Sequence, residues 1–134
     1  MGTRSLTILY DEKNTEIAVI YRQYDGYPDG HGAELADFLV KAKHNGMNCL
    51  AANIVRHIKT YASDGVSNGY AFTTYLYPAG TRNMGEEYIY KVYMNHANKL
   101  IMEIEDPDDH YCKWKGTPED FLNNYLPEYT EEED

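Results

Sequence analysis

The hydrophobic period of this chain changes twice, and few folds accommodate both changes. "RSLTILY" and "EIAVIYRQ" repeat every two residues and are separated by the polar turn "DEKNT". That alternation predicts an antiparallel hairpin with Leu6, Ile8, Ile17 and Val19 available for one buried face. In "GAELADFLVKA" the period becomes helical, with Leu35, Phe38, Leu39 and Ala42 at i, i+3, i+4 and i+7. "HNG" stops that helix, and Asn48 is placed to cap a second one, "CLAANIVRHIKTYA", in which Leu50, Ile54, Ile58 and Tyr61 share a face. "SDGVSNG" ends the second helix. Alternation then returns in "YAFTTYLY", "EYIYKVYM", "KLIMEIE" and the shorter "HYCKW", before "TPEDFLNNYL" starts a last helix with Thr117 as N-cap and Pro118 in the first position. The order ββααββββα has no strand–helix–strand repeat, which argues against a doubly wound parallel sheet. It predicts an α+β fold: an antiparallel sheet of about five to six strands, two central helices packed on one face, and a short C-terminal helix.

The chain has 134 residues, the size of one domain, expected to span 1–127 with an acidic, disordered tail at 128–134. No apolar run approaches the roughly 18 to 20 residues of a spanning helix, and the first residues lack the pattern of a signal peptide, so a cytoplasmic location is expected. Cys49 and Cys112 are compatible with reduced thiols, and no CxxC spacing exists. The net charge is −10, and the tail acids Glu128, Glu131, Glu132, Glu133 and Asp134 carry half of it. A second acidic knot, "EIEDPDD", holds Glu105, Asp106, Asp108 and Asp109. Such a surface repels duplex nucleic acid, whose binding needs lysine and arginine. The 14 tyrosines, beside 3 phenylalanines and 1 tryptophan, suit half-buried sheet faces and recognition surfaces. A tyrosine-rich sheet on a small core makes a homo-oligomer plausible.

The densest stretch of chemistry is "YRQYDGYPDGHG", residues 21–32. Arg22 and Tyr24 point to one side of the strand end, while Tyr21 and Gln23 point to the other. Asp-Gly favours positive φ, and Pro28 pushes Tyr27 into an extended conformation. "GHG" leads into a helix, where backbone amides attract anions and glycine lets them approach. The expectation is a pocket for a small anionic ligand built from Arg22, Tyr24, Asp25, Tyr27, Gly30, His31 and Gly32. The long loop "PAGTRNMGE", read as a hairpin connection, would close it with Thr81 and Arg82. A purely structural reading competes, with Asp25 and Asp29 capping turns and Arg22 pairing with one of them.

No catalytic residue is assigned. His31 with Asp25 or Asp29 can form an acid–base pair, and a Cys49–His31–Asp25 set is conceivable. Cysteine beside Leu50 in an apolar stripe is more often a small core residue. His31, His44, His57, His96 and His110 show no ligand spacing, and Asp106, Asp108 and Asp109 lack the glycine and closing glutamate of a calcium loop. No metal or cofactor is expected.

Taken together, "GTRSLT", "YRQYDGYPDGHG", "NGMNCLAA", "YLYPAGTRNMGEEYIY" and "GTPEDF" resemble a family of small uncharacterised bacteriophage and bacterial proteins, across nearly the whole chain except the tail. The resemblance implies an accessory product of phage type acting in the host cytosol. By analogy with such proteins, it implies counter-defence. Three functions follow as expectations: a non-enzymatic protein that sequesters a nucleotide-like signal; an acidic inhibitor that mimics nucleic acid and blocks a basic host groove through Glu105, Asp106, Asp108 and Asp109; and a small hydrolase of a nucleotide signal.

Overall fold

A computed structural model describes residues 3–43, 45–62 and 73–129, with no side-chain description for 60–62. The expected end of the second helix at 63–69, the start of the next strand at 70–72, His44, the Tyr61 side chain and the tail from 130 lie outside the described residues. Six strands form one sheet: β1 (Ser5–Tyr10), β2 (Glu16–Arg22), β3 (Thr74–Pro78), β4 (Tyr88–Met94), β5 (Leu100–Glu105) and β6 (Cys112–Gly116). Among the described residues three α-helical segments accompany them: α1 (Ala33–Lys41), α2 (Met47–Ala62) and α3 (Pro118–Asp120). α3 continues through a wide π-type turn, Phe121–Tyr125, and a 3-10 turn, Leu126–Glu128. The class is α+β.

The strand order is β3-β2-β1-β4-β5-β6. Four of the five pairings are antiparallel, and β1 with β4 is parallel, so the sheet is mixed. The cause lies in the loop expected to be a hairpin. β3 adds to the outer edge of β2, which leaves the other edge of β1 open for β4. Residues 79–87 therefore cross the sheet instead of turning back beside β3. The crossing spans about 14 Å sideways and about 17–20 Å lengthwise. A stretch of this length reaches about 30 Å, so it suffices.

β1 lies in the middle and is buried on both faces. Leu9 and Ile20 join Tyr90, Val92, Met102 and Ile104 on the helix side, with Leu35, Leu39, Leu50, Ile54, Ile58 and Phe121 packed over them. Leu6, Ile8, Val19, Tyr21 and Ile89 form a second cluster on the opposite face, against which Met84 of the crossing loop, Tyr10 and Tyr77 pack. Leu6, Ile8 and Val19 thus share a face, as their alternation predicts, but the helices cover the other one. Ile17 departs from the expected set and packs on the helix side, next to a register shift at Leu9/Tyr10.

α2 begins at Met47, one residue before the expected cap Asn48. Gly46 turns the chain at φ 96°, and the carboxylate of Glu12, from the β1–β2 turn, accepts the Met47 amide hydrogen. The α3 start matches the expected pattern: Thr117 Oγ1 accepts from the Asp120 amide, and the Asp120 carboxylate accepts from the Thr117 amide. Tyr129, past the expected boundary at 127, places its hydroxyl 3.1 Å from that of Tyr88.

Candidate functional site

Residues 21–32 fold as a buried polar hub. Arg22, at the end of β2, faces the helices and is 2% exposed. Its Nε donates to the Tyr24 carbonyl at 2.7 Å, and its NH1 donates to Glu34 Oε1 at 2.8 Å and His31 Nδ1 at 3.0 Å. An arginine offers only donors, so His31 Nδ1 must accept. The ring hydrogen is then on Nε2, which donates to Thr7 Oγ1 on β1 at 2.7 Å. Protonating Nδ1 would break the Arg22 contact and set charge against charge. Burial first, then the Arg22 charge, hold His31 well below the ordinary imidazole range.

The turn feeding this hub is shaped by close packing. Asp25 takes the left-handed conformation at φ 59°, and Tyr27 is extended before Pro28. A Cβ on Gly26 would lie 2.7 Å from Ser5 Cβ and 2.9 Å from the Thr3 carbonyl oxygen. The Gly26 carbonyl accepts from the Tyr90 hydroxyl at 2.6 Å. The amides of Gly30 and Gly32 donate to the Tyr27 carbonyl, and that of His31 to the Asp25 carbonyl.

These contacts engage the groups of the expected pocket within the chain. Arg22 and His31 are committed to partners within the chain, and the Gly30, His31 and Gly32 amides are consumed by local carbonyls. Tyr24 is exposed, while the half-buried Tyr27 donates to Asp25 Oδ1 at 3.1 Å. Thr81 and Arg82 do not reach the hub. β3 runs from Thr74, beside Arg22, to Pro78, beside Ala18, so the following loop starts at the opposite end of β2. There Arg82 grips Glu16 through NH1 and NH2 at 3.0 and 2.9 Å, and Thr81 Oγ1 donates to the Pro78 carbonyl. The His31 ring faces Arg22 and Thr7 instead of Asp25 or Cys49, and Cys49 is exposed on α2. Among the described residues no three His, Cys, Asp or Glu side chains group as a metal site.

Of the acidic knot, Glu105 is turned inward, whereas Asp108 and Asp109 are exposed. Glu105 is 6% exposed, with Lys91 Nζ at 2.5 Å on one oxygen and His110 Nδ1 at 2.8 Å on the other. Asp106 Oδ1 accepts the Asp108 and Asp109 amides, and Asp109 Oδ1 accepts that of Tyr111. The Asp106 and Asp109 carboxylates therefore shape the β5–β6 turn.

The residues that motif reading missed lie between α1 and α2. Phe38, Ala42, Lys43, Asn53, Arg56 and His57 line a cleft of about 320 Å³. The Phe38 and His57 rings stack, with centroids 4.4 Å apart and planes 18° from parallel. Lys43 and Arg56 are exposed, and neither forms an ion pair among the described residues. Burial lowers the pKa of the His57 imidazole, opposed by the charges of Glu34 and Asp37, which favours the neutral ring. The sequence signal was present: Phe38 belongs to the helical stripe, and Asn53, Arg56 and His57 recur at i, i+3 and i+4 on α2. Only docking of the helices puts them opposite one another.

No protein family, curated protein or solved structure matches the chain.

Proposed function

We propose that this protein is a non-catalytic binding protein for a small anionic ligand bearing a planar ring, of nucleotide type, held in the α1–α2 cleft. The observation that carries this reading is the placement of Lys43 and Arg56 beside the stacked Phe38 and His57 rings, in a chain whose net charge is −10. Cations without an ion-pair partner among the described residues can neutralise a phosphate, and an aromatic pair extends naturally to a third ring. A volume of about 320 Å³ also falls in the range of small-molecule sites. In the setting that the family resemblance implies, the protein would act by sequestering a nucleotide signal from a host defence system.

The test is a thermal-shift and calorimetric screen against inorganic phosphate, mononucleotides, cyclic dinucleotides and ADP-ribose-type compounds, run beside a Lys43→Ala/Arg56→Ala variant. A ligand at a hundredfold excess over its Kd adds about 2.7 kcal/mol, a midpoint shift on the order of ten degrees. Loss of that shift in the variant supports the site. An unchanged shift would place the ligand elsewhere, and no shift with any compound would remove the reading. Arg22→Ala is unsuitable as a binding probe, because it dismantles the hub.

A further inference from the structure

The face of the sheet away from the helices carries a second cleft of different chemistry. Tyr10 at the end of β1, Asn14 in the β1–β2 turn, Lys91 and Tyr93 on β4 and Glu103 on β5 line a space of about 230 Å³. The Tyr10 and Tyr93 rings meet edge to face, with centroids 6.0 Å apart at 76°, so they form two walls near a right angle. The Tyr93 hydroxyl donates to Glu103 Oε1 at 2.9 Å, which pins ring and carboxylate together and leaves Oε2 as an acceptor. Lys91 uses one N–H on Glu105 and has others to offer. The Asn14 side-chain amide and the Tyr10 hydroxyl make no hydrogen bond among the described residues; the Asn14 backbone amide donates to the Asp11 carbonyl.

Charge narrows the ligand. Lys91 is paired with Glu105 and Arg82 with Glu16, so Glu103 keeps the uncompensated charge and opposes an anion, while the Lys91 ammonium opposes a cation at contact. What remains is a neutral molecule that both donates and accepts hydrogen bonds and has an apolar face for a tyrosine ring. The volume lies below the roughly 300 Å³ of drug-sized sites, which favours one ring over an extended chain. We propose that this cleft binds a single neutral sugar ring, with its C–H face on the tyrosine corner and its hydroxyls shared among Glu103, Lys91 and Asn14. This site is independent of the α1–α2 cleft.

The experiment is a nuclear magnetic resonance titration of the isotope-labelled chain with glucose, galactose, mannose and N-acetylglucosamine, and with inorganic phosphate as the contrasting probe. Saturable shifts of the Asn14, Lys91, Tyr93 and Glu103 amides with at least one sugar are expected. Tyr10→Ala should weaken that binding by about tenfold, since it removes one wall. Tyr10→Phe, which keeps the ring, should retain it and serves as the folding control. Glu103→Gln should weaken it, and Lys43→Ala/Arg56→Ala should leave it unchanged. Absence of saturation with every sugar, shifts with phosphate alone, or affinity unaffected by both Tyr10→Ala and Glu103→Gln would overturn the proposal.

Discussion

Arg22 shows how the same side chain reads differently in sequence and in space. Its richness in donors marked it as a ligand contact, yet those donors close the chain on itself, at His31, Glu34 and the Tyr24 carbonyl. Replacing it with alanine should cost about 3–5 kcal/mol in urea unfolding, because buried partners are left without a donor. A loss below about 1 kcal/mol would mean that the hub is dispensable. His31 makes a pH prediction. Its folded pKa is depressed, so the unfolded chain binds the extra proton first as pH falls. Its contribution is complete above about pH 6.5 and is lost below, by about 1.4 kcal/mol per pH unit until the folded pKa is reached. His57, also depressed, adds in the same direction. Thermal midpoints recorded from pH 7.5 to 5 should fall, and His31→Gln should flatten the slope. Strand alternation could place Arg22 opposite Gln23, but it could not say which side the helices would cover.

At the scale of elements, local chemistry and long-range contacts divide the helix ends between them. α3 starts where Thr117, Pro118 and Asp120 say it should, since its capping box closes over three residues. α2 starts earlier than Asn48 suggests, because its first amide is capped from the β1–β2 turn by Glu12. Glu12→Ala should destabilise the protein by about 1 kcal/mol, the usual worth of an N-terminal cap. Thr117→Ala should cost a similar amount. Chemical denaturation of both variants decides whether the remote cap matches the local one. A remote carboxylate is invisible to local pattern reading, as nothing in residues 45–49 points to position 12. α1 ends at Lys41, before the expected stop at "HNG", and Gly46 instead turns the chain into α2 at φ 96°, while Gly26 is required by Ser5 and Thr3, residues distant in sequence.

The whole molecule is organised around β1, which holds β2 on one edge and β4 on the other and is covered on both faces. The crossing loop 79–87 seals the second face through Met84 and is anchored by Arg82 on Glu16. Arg82→Ala should cost about 1 kcal/mol, since the pair is bidentate but partly wetted. It should also speed hydrogen exchange in 79–87 ahead of β1. Uniform exchange across the sheet would count against the loop as a separate closing unit. The sequence by itself determined the class of elements and their order, because two-residue and 3.6-residue periods are local properties of side-chain direction. It also determined the β1–β2 turn and the α3 cap, which close over a few residues. The parallel pairing of β1 with β4, the face the helices cover, the burial of Arg22 and Glu105, and the meeting of Phe38 with His57 were decided only by the tertiary structure. Each depends on which surfaces of separate elements exclude water together, and that choice is made by the packed chain as a whole.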